Sequence, residues 1–155
     1  MTTIHLTVTT PVSPDRIVHA FTDFTPQRLR TFPNIDARYY QVHALGATSA
    51  EVTEGSTFFG GVWERAHYDW TQPGDIAIMV QESNAFTSES FWHYHITPGE
   101  KGASHVEFIV HRVGKNLKGR VLATMLRLFG RRIFRQDLEL TLKRLTEESP
   151  AAALS

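Results

Sequence analysis

Residues 115–148, KNLKGRVLATMLRLFGRRIFRQDLELTLKRLTEE, decide the fold. The segment reads as one long helical pattern. Leu117, Val121, Leu122, Met125, Leu128 and Phe129 share a broad apolar stripe in its first half. After Gly130 the stripe moves to Phe134, Leu138, Leu142 and Leu145. Glycine inside a helix costs about 1 kcal/mol relative to alanine. A kink or short break is therefore predicted near Gly130, letting each half meet a different part of the molecule.

Working back from the helix, the chain is a run of strand signals behind a short helical region. Residues 3–9 alternate, with Ile4, Leu6 and Val8 against His5 and Thr7, as a half-buried strand does. Ser13-Pro14-Asp15 reads as an N-cap with proline at the first helical position. A helix to about Phe24 follows, then a second short one from Thr25-Pro26 to Phe32. Strands are predicted at 38–47, 50–57, 62–70, 76–83, 88–96 and 104–113, with strong turns at 72–75 and 98–102. Such a sheet cannot bury its apolar face alone. One long helix laid across it would cover that face and could leave an apolar cavity between the two. The order of elements thus points to holding a small apolar molecule.

Composition sets the bounds. At 155 residues the chain is read as one domain over 1–149, with 150–155 as a frayed tail. Hydrophobic content of 41% and charged content of 21% are ordinary for a soluble globular protein. With no cysteine there is no disulfide, thiolate metal site or cysteine nucleophile. The N-terminus shows no leader pattern, and no apolar run reaches the ~20 residues of a membrane span, so a cytoplasmic location is expected. Net charge is zero with histidines neutral, yet residues 112–135 hold eight Lys or Arg and no Asp or Glu. Phosphate loops, nucleophile elbows and dinucleotide fingerprints are absent, and no cofactor is expected.

Several side chains are candidates for chemistry. His93 and His95 are spaced for one strand face, but Trp92, Tyr94 and Ile96 form the more apolar one, so the histidines are expected on the solvent side and no metal site is assigned. Glu64 shares parity with Tyr68 and Trp70. Facing inward, it would be a buried carboxyl able to act as a general base. A glutamate is rarely buried without a partner, so a parity break at Gly60-Gly61 that leaves it exposed is the preferred reading. Glu64 is the one candidate catalytic residue, and the catalytic set is otherwise unknown. Lys115, Lys118, Arg120, Arg127, Arg131, Arg132 and Arg135 form a basic helix face. That face is a plain solvated surface, or it meets an anionic membrane surface or an acidic carrier protein. No nucleic-acid-binding pattern is present.

The segment from Trp63 to Gly114 resembles the START-like, or SRPBCC, superfamily, in particular its polyketide cyclase and lipid-transport branch. The residues that carry this are Gly61-Val62-Trp63-Glu64-Arg65, Tyr68-Asp69-Trp70-Thr71-Gln72-Pro73-Gly74, Phe91-Trp92-His93-Tyr94 with Pro98, and Gly102 before Val106. The resemblance implies an α+β helix-grip fold: a curved antiparallel sheet of six or seven strands around the C-terminal helix, with two short helices after the first strand. It also implies an internal cavity for a lipid, polyketide or aromatic compound, with its mouth near the loops after Gly55 and Gly99 and the start of the long helix. The expected lining is Tyr40, Val42, Trp63, Tyr68, Trp92, Tyr94, Phe108, Val121, Met125 and Phe129. Fold-level likeness assigns no ligand.

Three readings follow. The first is binding or transport of a small hydrophobic molecule. The second is a cyclase or aromatase, which polar groups close together deep in the cavity would favour. The third is an interaction module using the basic helix face with no ligand.

Overall fold

Strict alternation makes the first strand. In β1 (Thr2–Thr10) every even residue is buried and every odd one exposed. It pairs antiparallel with β7 (Ser104–Arg112), Leu6 opposite Phe108. Between them come α1 (Pro14–Phe21), α2 (Gln27–Thr31), β2 (Gln41–Leu45), β3 (Ser49–Ser56), β4 (Val62–Asp69), β5 (Asp75–Ser83) and β6 (Phe91–Pro98). The seven strands form one curved antiparallel sheet in the order β1-β7-β6-β5-β4-β3-β2. The final helix, α3 (Leu117–Glu147), crosses its concave face and packs chiefly on β1. This computed structural model describes residues 1–148, so the tail expected at 150–155 lies outside the described residues. None of its helices is long and apolar enough to cross a membrane.

Local signals explain most boundaries. Ser13 caps α1 by accepting from the Arg16 amide, with Pro14 in the first helical position. Asn116 caps α3 by accepting from the Gly119 amide at 2.9 Å. Tyr39 and Tyr40, expected in a strand, instead end a 3-10 turn (Ala37–Tyr39) that Asp36 caps through the Arg38 amide. The turn between β3 and β4 holds Phe59, Gly60 and Gly61 at φ of 50°, 77° and 111°. Two glycines carry most of that left-handed backbone.

α3 corrects two expectations. It runs 31 residues without a break, about 46 Å at helical rise. Gly130 does not interrupt it. Instead it lets the helix approach β1, where an added Cβ would lie 2.4 Å from the Ile4 Cδ1. The buried face of the first half is also rotated from the predicted stripe. Gly119, Leu122, Ala123 and Gly130 are buried, whereas Leu117, Val121, Leu128 and Phe129 are exposed. This half carries two apolar faces, and periodicity alone does not say which one meets the sheet.

Gly119 is the tightest point of that contact. A Cβ there would lie 1.7 Å from the Ala85 carbonyl oxygen, a backbone atom. Gly119→Ala is expected to destabilise the fold by about 1–3 kcal/mol through overpacking, despite alanine's better helix propensity. Gly130→Ala should cost less, because only a terminal methyl has to turn. Urea denaturation of both variants checks this, and a Gly119→Ala protein as stable as the parent would contradict it.

Candidate functional site

Between sheet and helix lies a cavity of about 500 Å³. That falls within the range of ligand pockets, ~300–1,000 Å³. Inward parity builds its sheet wall: Glu64 and Tyr68 from β4, Ile76 and Ile78 from β5, Trp92 and Tyr94 from β6, and Phe108 and Arg112 from β7. α3 supplies Met125, Leu126, Phe134 and Asp137. Phe21 of α1 and Phe32 after α2 close one side. The aromatic rings brace one another. Tyr94 stacks on Phe108 at 4.8 Å, Phe134 meets Phe108 edge-on at 5.6 Å, and Phe21 meets Tyr94 edge-on at 4.9 Å. Such pairs hold their rings in place beyond what burial alone does.

Two buried arginines interrupt this apolar lining, in different ways. Arg28, on α2, has its donors fully engaged. Nε and Nη2 reach the Glu54 carboxylate at 3.1 and 3.3 Å, Nη2 also donates to the Tyr68 hydroxyl, and Nη1 donates to the Phe21 carbonyl at 3.0 Å. Tyr68 donates in turn to Glu54. The guanidinium lies 4.5 Å from the ring centres of both Phe24 and Phe32. Burial works against its charge as the largest single influence, yet Glu54, Tyr68 and Tyr40 together outweigh it and the net shift is upward. Burial and the Glu54 charge also hold the Tyr68 hydroxyl well above its ordinary range. Removing one partner of such a pair costs about 3–5 kcal/mol, because the other charge stays buried. The network ties the α1–α2 region to β3 and β4.

Arg112, at the end of β7, is less complete. Its Nη2 meets the Glu64 carboxylate at 3.3 and 3.4 Å, and its guanidinium lies 4.7 Å from the Trp92 ring centre and 5.1 Å from that of Phe86. Nη1 is buried and, among the described residues, has no hydrogen-bond partner. Burial pushes the Glu64 carboxyl up, Arg112 opposes the rise, and Glu54 adds to it. Across the cavity Asp137 projects from α3. Among the described residues no cation or donor pairs with its carboxylate, and burial raises it above the ordinary aspartate value.

Known proteins match this chain through structure alone. No family model and no curated protein sequence matches it. A START superfamily protein from Mycobacterium smegmatis superposes with TM-score 0.77 at 14% identity, over 94% of this chain and 97% of that one. The Zhui aromatase/cyclase from Streptomyces sp. R1128 gives 0.79 at 15% identity, over 97% and 96%. Human STARD10 gives 0.66 at 12% identity, over 91% and 63%. The chain has the START-like helix-grip fold. Identities this low show the fold and leave the ligand open.

Within the START-like fold, the expected lining residues separate into two groups. Tyr68, Trp92, Tyr94, Phe108 and Met125 line the cavity. Tyr40 does not. It packs on the core beside it and donates to the Phe24 carbonyl at 2.6 Å, with burial raising its hydroxyl to about 12. Val42 sits on β2, the edge strand, whose five residues are all exposed. Trp63 has the opposite parity to Glu64, and Val121 and Phe129 lie on the outward face of α3. The preferred reading of Glu64 as exposed is also corrected. β4 pairs with β3 in unbroken register from Ser56↔Val62 to Ser49↔Asp69, so the glycine bend leaves parity intact. The partner that permits burial is Arg112.

The loops also divide. Gly55, Ser56, Thr57 and Phe58 line the cavity, with Phe58 half-exposed, whereas the loop after Gly99 contributes nothing to it. His93 and His95 lie beside Asp75 on the outer sheet face, Nε2 at 3.3 Å and Nδ1 at 2.5 Å from Oδ1. Among the described residues no three metal-ligating side chains converge. Four charged cavity residues were missed from sequence. Arg112 follows Val106, Phe108 and Val110 at inward spacing, and Asp137 follows Phe134 by three on the inner helix face, so both carried a signal. Arg28 and Glu54 carried none beyond their charge.

Asp137 gives a pH test. Its folded pKa lies above the unfolded value, so ionisation costs stability above the folded pKa and nothing below the unfolded one. Asp137→Asn should therefore raise the melting temperature at neutral pH. The gain should fade as pH falls through the raised value towards the ordinary 3.8. A variant less stable than the parent at neutral pH would contradict the placement.

Proposed function

We propose that this protein holds a small molecule with an apolar body, ring-bearing or acyl, and a polar oxygen function, in the cavity between sheet and C-terminal helix. The candidates are a lipid, a polyketide or another aromatic compound. One observation carries the reading: a cavity of ligand size walled by interlocked aromatic rings and by buried charged groups. An apolar wall removes the body from water, at roughly 25 cal/mol per Å² of apolar surface buried. The few polar groups fix its orientation. The fold likeness to a START superfamily protein and to an aromatase/cyclase supports the same reading.

A second reading, turnover, is favoured by a specific pair. Glu64 and Arg112 face the cavity together, one a carboxyl with raised proton affinity and the other a buried cation. In an aldol cyclisation Glu64 would take a proton from a carbon between two carbonyls, and Arg112 would stabilise the enolate oxygen that forms. The enolate carbon would attack a third, remote carbonyl of the same molecule, and the resulting alkoxide would take the proton back from Glu64.

Isothermal titration with fatty acids, sterols and aromatic polyketides separates these outcomes. A one-to-one complex with a negative heat-capacity change is expected for at least one class. Met125→Trp, which fills part of the cavity from the helix side, should weaken binding by roughly tenfold or more. A silent panel, or a Met125→Trp protein with undiminished affinity, would sink the proposal. If a polycarbonyl ligand is converted to a ring product, Glu64→Gln should stop the conversion and keep the binding.

A further inference from the structure

The outward side of α3 is built unlike a solvated helix face. Four large apolar residues stand on it: Leu117 is 77% exposed, Val121 45%, Leu128 67% and Phe129 58%. Leu117, Val121 and Leu128 follow at i, i+4 and i+11, which places them in one line along the helix. By the same geometry Arg120, Arg127 and Arg131 flank that line on one side, and Arg132 and Lys118 on the other. The seven Lys and Arg of residues 115–135 meet no Asp or Glu in that stretch.

The basic residues are not equivalent. Lys115 donates to the Ser83 carbonyl, Lys118 to the Gly61 carbonyl and Arg135 to the Thr7 carbonyl, so these three fasten the helix to the sheet. Arg120, Arg127, Arg131 and Arg132 are exposed, and among the described residues none has a hydrogen-bond or carboxylate partner apart from the helix backbone. Lys118 also holds the β3–β4 turn against the first turn of the helix. That turn carries a second exposed apolar pair, Phe58 and Phe59, in edge contact at 4.6 Å.

We propose that the outward face of the first half of α3 docks on an anionic lipid bilayer. Leu117, Val121 and Leu128 enter the head-group region, and Arg120, Arg127, Arg131 and Arg132 meet the lipid phosphates. An apolar ridge edged by long basic side chains is the pattern of a helix lying in a membrane interface. Each arginine's methylene stem can lie along the apolar boundary while its guanidinium stays among the phosphates. The ridge is convex, and its cations spread to both sides. That suits a fluid sheet of negative head groups, which rearrange to meet each charge, better than the fixed carboxylates of a folded acidic protein. The proposal goes beyond the cavity reading and does not require the cavity to be filled.

Co-sedimentation of the full chain with phosphatidylcholine vesicles, with and without phosphatidylglycerol, tests it. Binding should appear only with the anionic lipid and weaken as salt is raised. Replacing Arg127 and Arg131 by alanine should lower the partition coefficient by roughly fivefold per charge. Leu117→Ser with Leu128→Ser should lower it by roughly tenfold or more. These residues are exposed, and circular dichroism should show both double variants folded. Three results would overturn the proposal: no binding to anionic vesicles at low salt, equal binding to neutral ones, or full affinity in the leucine variant. The last would leave a purely electrostatic face, as an acidic macromolecule would require.

Discussion

The structure depends on placing charge inside an apolar wall without leaving it unpaired. Arg28 lies between two phenylalanine rings, far from water, and survives there because Glu54 and Tyr68 meet it. That arrangement fixes α2 against β3 and β4, and with it one side of the cavity. A buried ion pair of this kind specifies geometry more than it adds stability, since desolvation takes back most of the attraction. The aromatic rings then need only fill the space around a rigid polar frame.

Against that frame Arg112 and Asp137 stand out as less satisfied. Arg28 has a partner for every donor, whereas Arg112 keeps a buried Nη1 unpaired and Asp137 keeps a carboxylate unpaired. Among the described residues a buried donor without a partner, such as Arg112 Nη1, carries a desolvation cost of about 1–3 kcal/mol, and the half-buried Asp137 carboxyl shows its smaller share as a raised proton affinity. A ligand oxygen or hydroxyl that meets them removes that cost, which a wholly apolar ligand would not do. The unsatisfied groups therefore argue for an occupant with polar atoms, and the satisfied ones hold the shape that receives it.

Much of the fold was legible in the sequence because its strands alternate cleanly and its long helix has no rival. β1 and β7 read directly from period-two alternation, and α1 follows from its cap and proline signals, whereas α2 starts after Pro26 without a side-chain cap. The site was legible only in part. Tyr68, Trp92, Tyr94 and Phe108 follow from strand parity. Glu64 has the right parity, but its burial depends on Arg112, which lies 48 residues away in the chain. The outward placement of Val121 and Phe129 was hidden because α3 is apolar on two faces. Gly130 was misread because a close approach to Ile4 leaves no trace in local sequence.

The central claim is that the cavity holds a molecule, and its most direct test is native mass spectrometry of the protein purified from its own host. The account predicts one molecule bound per chain, released on denaturation and carrying both a ring-bearing or acyl body and at least one oxygen. A uniformly empty, folded protein would contradict it.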